Sequence, residues 1–166
     1  MGADMHMYVE YRIGGKDSEW IADENHKPED VGLIAALNTP RNYAIFSALA
    51  CVRGGGGELP RGIPDDISGT VKKALDSWGS DSHSHTFFSI EQFERILTKK
   101  CSKFIYHTDS IDAFNHYAEH ETSGSAYIAI VNYCKELKEK LSVDGILLSN
   151  KALKNVDIRL IFWFDS

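Results

Sequence analysis

The sequence predicts an α+β fold: a single domain over residues 1–166, with an antiparallel or mixed sheet that uses the N- and C-terminal strands, covered by about five helices. Three observations predict it. Residues 4–13 alternate with period two, placing Met5, Met7, Val9, Tyr11 and Ile13 on one side and Asp4, His6, Tyr8, Glu10 and Arg12 on the other. Val156–Asp165 is rich in β-branched and aromatic residues, with Val156, Ile158, Leu160, Phe162 and Phe164 as its inner face. Between these ends the apolar residues recur at helical spacing.

The elements follow in order. Gly14-Gly15-Lys16-Asp17 reads as a turn and Glu19–Ala22 as a returning strand. Residues 23–38 are mixed and polar, with one helical turn near Val31–Leu37. Thr39-Pro40 opens a helix, since proline suits a first helical position, and that helix ends by Arg53 before the glycines 54–57. Leu59–Asp66 is a loop framed by prolines. A second helix runs from about Ser68 to Trp78, with Val71, Leu75 and Trp78 inward and Gly79 as its stop. Asp81–Thr86 reads as a polar loop. Ser89 and Gln92 have the spacing of a capping box, opening a third helix with Ile90, Phe93, Ile96 and Leu97 buried. A short helix over 110–121 and the longest helix over 125–142 complete the set, the latter with Tyr127, Ile130, Val131, Cys134, Leu137 and Leu141 inward. The first and last strands are expected to lie side by side.

Composition narrows the function classes. Hydrophobic residues make up 43% and charged residues 25%, ordinary values for a chain long enough to bury a core. No apolar run approaches the ~18 residues of a membrane span, and no leader pattern opens the chain, so a cytoplasmic protein is expected. Cys51, Cys101 and Cys134 form no CxxC pair, and Cys51 and Cys134 read as core thiols. The net charge of −6 disfavours a broad grip on extended nucleic acid but leaves room for a small phosphate ligand held by a few arginines.

The residues that carry chemistry gather in four segments. Asp4, His6 and Glu10 share the polar face of the first strand; Asp-x-His suits a divalent metal or a general base with an orienting carboxylate, and the competing reading is a wet strand face. His83 and His85 sit in the polar loop, where two histidines can share a metal or flank a phosphate; a plain surface loop is the alternative. Arg41 in a first helical turn, Arg53 and Arg61 offer guanidinium forks for phosphate, against the commoner role of surface ion pairing. In Arg61–Asp66, Asp65 and Asp66 could fix a cation or an arginine. Tyr43 or Trp78 could stack on a base. The glycine tract lacks the lysine of a P-loop, and no nucleophile elbow is present.

Taken together, the opening Met-Gly-x-Asp-x-His-x-x-x-Glu, the Arg41-Asn42-Tyr43 and Leu49–Arg53 stretches, Arg61–Asp66, His83-Ser84-His85 and the closing Arg159–Asp165 strand resemble a family of small phage- and prophage-type proteins. Residues 100–150 match least, and members often carry cysteine where this chain has Ala3. The resemblance brings no established reaction. It implies a phage origin, hence the host cytoplasm, and a polar cluster built from these segments.

The resulting expectation is a protein that binds, and as an enzyme hydrolyses, a phosphate-bearing small molecule such as a cyclic nucleotide immune signal. His6, His83, His85 and Asp4 would be catalytic; Arg41, Tyr43, Arg53, Arg61, Asp65 and Glu10 would bind. The alternatives are a non-catalytic sponge for the same signal and an interaction protein that inhibits a host defence enzyme. Metal dependence, and a homo-oligomer completing the site, stay open.

Overall fold

The computed structural model describes residues 2–24, 37, 39–100, 124, 126–142 and 155–165. Four strands, β1 (Asp4–Ile13), β2 (Ile21–Ala22), β3 (His83–Ser89) and β4 (Val156–Asp165), form one antiparallel sheet in the order β2-β1-β4-β3. Among the described residues the α-helices are α1 (Tyr43–Ala50), α2 (Gly69–Trp78), α3 (Ile90–Lys100) and α4 (126–142), with one 3₁₀ turn at Gly79–Asp81. The α+β expectation therefore holds, with four α-helices among the described residues against about five expected. The turn expected at Val31–Leu37 and the helix expected over 110–121 fall outside the described residues, apart from Leu37 itself.

The terminal strands pair along their whole length, from Asp4 opposite Asp165 to Ile13 opposite Val156. That register puts Met5, Met7 and Val9 on the same face as Phe164, Phe162 and Leu160. Ile45, Phe46 and Leu49 of α1, Phe93 and Leu97 of α3, and Tyr127, Val131 and Cys134 of α4 fill the core against this face. Burial pushes the Cys134 thiol up to about 12, with Asp23 adding to the effect, so it is an inert packing group. Cys51 is half-buried at the end of α1, and Cys101 lies outside the described residues.

The other face is covered too. Val71 and Ala74 of α2 pack on Tyr8, Ile161 and Trp163, with Ile63, Ile67, Leu75, Trp78 and Phe87 around them. The alternating polar residues of β1 are thus not a wet face: Tyr8 is buried and Glu10 is 0% exposed. Glu10 survives burial because both carboxylate oxygens are engaged. One accepts from Arg159 Nε at 2.7 Å, and the other accepts the Ser68 N–H at 2.7 Å. Arg159 also donates to the Asp66 carboxylate at 2.7 Å and to its carbonyl at 3.1 Å, and lies over the Trp20 ring at 3.9 Å. Trp20 Nε1 closes the ring of contacts on Asp66 at 3.0 Å.

Local signals place most boundaries. Ser68 caps α2 by accepting the Val71 N–H, and Gly79 ends it at φ 55°. The Ser89–Gln92 capping box forms in both directions, at 3.1 and 3.2 Å. The start of α1 differs from expectation. Asn42, not Thr39-Pro40, is its cap, with its side chain accepting the Ile45 N–H at 3.1 Å. The preceding segment runs along the outer edge of β1 instead, where the Leu37 N–H and the Thr39 hydroxyl donate to the Met7 and Met5 carbonyls. The helix ends at Ala50, within the expected limit of Arg53, through Cys51 in the left-handed conformation at φ 54°. The glycine tract serves this turn: a Cβ on Gly57 would meet the Ser47 carbonyl oxygen at 1.7 Å, so only glycine lets the chain return against α1. The segment expected as a polar His83–His85 loop is the start of β3, bulged between His83 and Thr86, with Ser84 at φ 52°.

Because Glu10 is fully enclosed, its removal leaves the buried Arg159 with only the exposed Asp66 as a carboxylate partner and takes the acceptor from the Ser68 N–H. Glu10→Ala is expected to lower unfolding stability by about 3–5 kcal/mol, with the pair Glu10→Met and Arg159→Met recovering much of the loss. Urea unfolding measures both; a single-variant loss of only ~1 kcal/mol, the scale of an exposed pair, would contradict this burial.

Candidate functional site

The first residues of β1 and the last of β4 meet at one end of the sheet, and the chemistry collects there. Asp4 stands opposite Asp165, and His6 opposite Trp163. Two carboxylates so placed repel each other unless each finds a counter-charge. Asp165 takes the Asp4 N–H on one oxygen at 3.0 Å and His6 Nε2 on the other at 3.2 Å. Asp4 takes the guanidinium of Arg41 through both oxygens, at 2.5 and 2.6 Å. The fork holds the Asp4 carboxyl below its ordinary range, by its hydrogen bonds first; burial, the next-largest effect, opposes this, and the charges of Arg41 and then His6 add to the lowering. Gly2 permits this arrangement, since a Cβ there would fall 2.3 Å from an Arg41 nitrogen.

His6 is fixed on a second side. Trp78, the last residue of α2, lies with its ring centroid 3.9 Å from the imidazole, tilted by 35°. The histidine is thus oriented by a carboxylate and backed by an indole, with 17% of its side chain exposed. With Nε2–H donated to Asp165, Nδ1 carries the lone pair and has no hydrogen-bond partner among the described residues. An imidazole held in this way can accept a proton through Nδ1. Arg41 and Asp4, each about half exposed, form the open rim beside it.

The other candidate residues are not all brought to this point. His83 lies across β4 from β1, opposite Phe164, with its ring stacked 6.2 Å from that phenyl. This is the face opposite His6, two strand spacings or about 10 Å away. Its Nδ1 pairs with the Ser84 hydroxyl at 2.9 Å, and His85 Nε2 pairs with Ser82 at 3.0 Å. The His85 carbonyl accepts the Gly62 N–H at 2.9 Å, so the Arg61–Gly62 segment shields the free edge of β3. Arg61 itself lies over the Phe88 ring at 4.2 Å and donates to Gln92 Oε1 at 3.1 Å. Glu10 is committed to the buried network. Asp65 is exposed, while its neighbour Asp66 is the one bound to Arg159. Arg41 precedes the α1 cap, so it is not in a first helical turn as expected. Tyr43 opens α1, 41% exposed, with its ring edge-on to Phe46, and Arg53 follows the α1 cap on the surface.

Asp165 and its contact with His6 were not singled out from sequence. The register of β1 on β4 is what reveals them, because the two residues are far apart in the chain. Among the described residues no three His, Cys, Asp or Glu side chains are placed to hold a metal ion, so the divalent-metal arrangement considered for Asp4 and His6 is not assembled there. No helix among the described residues is long and apolar enough to cross a membrane. Compared with protein-family models, curated proteins and solved structures, the chain matches none of them.

His85 provides a pH readout of this end. Burial first, and the neighbouring His83 second, hold its pKa below the ordinary 6.5. The native state therefore binds fewer protons than the unfolded chain just below pH 6.5, and stability falls as pH drops from there through the folded value. Proton NMR of the ring should show a midpoint below 6.5, which His83→Ala raises only partway because burial is the larger cause. A midpoint at or above 6.5 would contradict the placement.

Proposed function

We propose that this protein binds a small phosphate-bearing molecule, and that the His6–Asp165 pair is an acid–base centre for hydrolysis of a phosphodiester in it. The observation that carries the reading is the three-part setting of His6: the Asp165 carboxylate on Nε2, the Trp78 ring against its face, and the Arg41–Asp4 rim alongside. A phosphate reaching the rim competes with Asp4 for the Arg41 fork, a planar donor pair suited to two phosphate oxygens. A water beside it loses a proton to His6 Nδ1 as its oxygen bonds to phosphorus. The ester oxygen leaves and takes a proton from solvent, while Asp165 stabilises the imidazolium. The resemblance to small phage-type proteins supports a cyclic nucleotide immune signal as the ligand, counter-defence as the purpose and the host cytoplasm as the place.

One observation favours the non-catalytic reading, a sponge that sequesters the signal. Among the described residues no second histidine stands within hydrogen-bonding distance of His6, because His83 and His85 are on β3. Among the described residues a leaving group at this site has no second histidine to act as its acid.

The two readings part in one experiment. The protein is incubated with a panel of cyclic mono- and dinucleotides, denatured, and the released nucleotide chromatographed. Hydrolysis predicts linear product from the parent and a fall of about 10²–10⁴-fold in His6→Gln. Intact ligand released from the parent sinks the enzyme and supports the sponge. A ligand at 100 times its Kd should stabilise the fold by ~2.7 kcal/mol, so the lack of any thermal shift across the panel would remove both readings and favour an inhibitor of a host enzyme.

A further inference from the structure

A second cluster of charge lies away from His6, on the α3 side of the sheet. Arg61, Arg95 and Lys99 line a cavity of about 210 Å³ together with Glu58, Gln92 and Ile96. Arg95 and Lys99 sit four residues apart on α3, a like-charge spacing that disfavours an isolated helix by a few tenths of a kcal/mol. The carboxylates of the same helix do not relieve it. Glu91 and Glu94 turn to Lys138 and Lys135 of α4, at 2.9 and 2.6 Å. Among the described residues no carboxylate is paired with Arg61, Arg95 or Lys99, although the chain as a whole carries a charge of −6.

Arg61 is also held in place before anything binds. Its guanidinium rests on the Phe88 ring at 4.2 Å, and one nitrogen donates to Gln92 Oε1 at 3.1 Å and to the Phe87 carbonyl at 3.4 Å. Gln92 is itself fixed by the capping box on Ser89. An arginine anchored on one edge presents its remaining N–H groups in a fixed direction, so little side-chain entropy is lost when an anion arrives.

We infer that this groove is a binding site for a phosphate or diphosphate group, distinct from the His6 end. The volume is below the ~300 Å³ at which sites for drug-sized ligands begin, so the groove takes the charged end of a ligand rather than a whole nucleotide. Three cations around one carboxylate, Glu58, leave an excess of positive charge that a dianion neutralises. The cleft of about 490 Å³ beside the α2 N-terminus does not offer the same chemistry, because Glu10 already occupies the Ser68 N–H at that helix end. The inference does not depend on hydrolysis at His6.

Inorganic pyrophosphate is the probe, titrated by calorimetry into the full chain at low salt. Saturable binding that weakens as salt is raised is expected. The exposed pair Arg95→Gln with Lys99→Gln should lower affinity about tenfold or more, with the charge-keeping Lys99→Arg close to the parent. His6→Gln, which removes the proposed acid–base centre, should leave pyrophosphate binding in place, so failure at one site is read separately from failure at the other. No saturable binding by the parent, or equal affinity in the Arg95/Lys99 double variant, overturns the inference.

Discussion

The enclosed Glu10–Arg159 pair is the constraint on which the arrangement of this molecule rests. It joins the two longest strands across their register, and its outer contacts tie the Asp66–Ser68 segment down to the sheet. That segment is the start of α2. The helix has ten residues, about 14–15 Å at 1.5 Å each. From Glu10 back to His6 is four residues of strand, about 14 Å. A helix pinned at Glu10 and running back along β1 therefore ends over His6, where Trp78 is found. The setting of the proposed acid–base histidine is a consequence of an ion pair at the other end of the same strand.

This also explains how a strand with five alternating polar side chains can be covered on both faces. Four of these five residues find a counter-charge, Glu10 and Arg12 on the β4 residue directly opposite, His6 diagonally on β4, and Asp4 on the segment before α1. Asp4 meets Arg41, His6 meets Asp165, Glu10 meets Arg159, and Arg12 meets Asp157 at 2.8 Å while lying over Trp20 at 4.6 Å. Such a ladder is poor insurance in raw stability, because desolvation offsets much of the attraction. Its effect is on register. A slip of one residue would turn every charge into the apolar core, and a slip of two would leave charges facing the wrong partners.

How much of this was legible depended on the range of the interaction. Features set within a few residues were read correctly: the alternation of β1, the Ser89–Gln92 box, the Gly79 stop, and the stripe from Tyr127 to Leu137. Where two local signals competed, tertiary contact decided. Pro40 and Asn42 both suit a helix start, and the Thr39 bond to the Met5 carbonyl draws the chain along the sheet edge and hands the cap to Asn42. The bulge at Ser84 breaks the period of β3 just where the two histidines sit, so the strand read as a loop. The His6–Asp165 contact spans 159 residues, and nothing in either segment alone names the other.

The distribution of counter-charges separates what a negative protein can bind from what it repels. Arg12, Arg41, Arg159, Lys72, Lys135 and Lys138 each face a carboxylate, so their fields largely cancel beyond the ~8 Å screening length at physiological salt. Arg61, Arg95 and Lys99 face none among the described residues, so their field is concentrated in the groove they line. In the proposed anion site, local charge would act against the net charge of −6, at short range only.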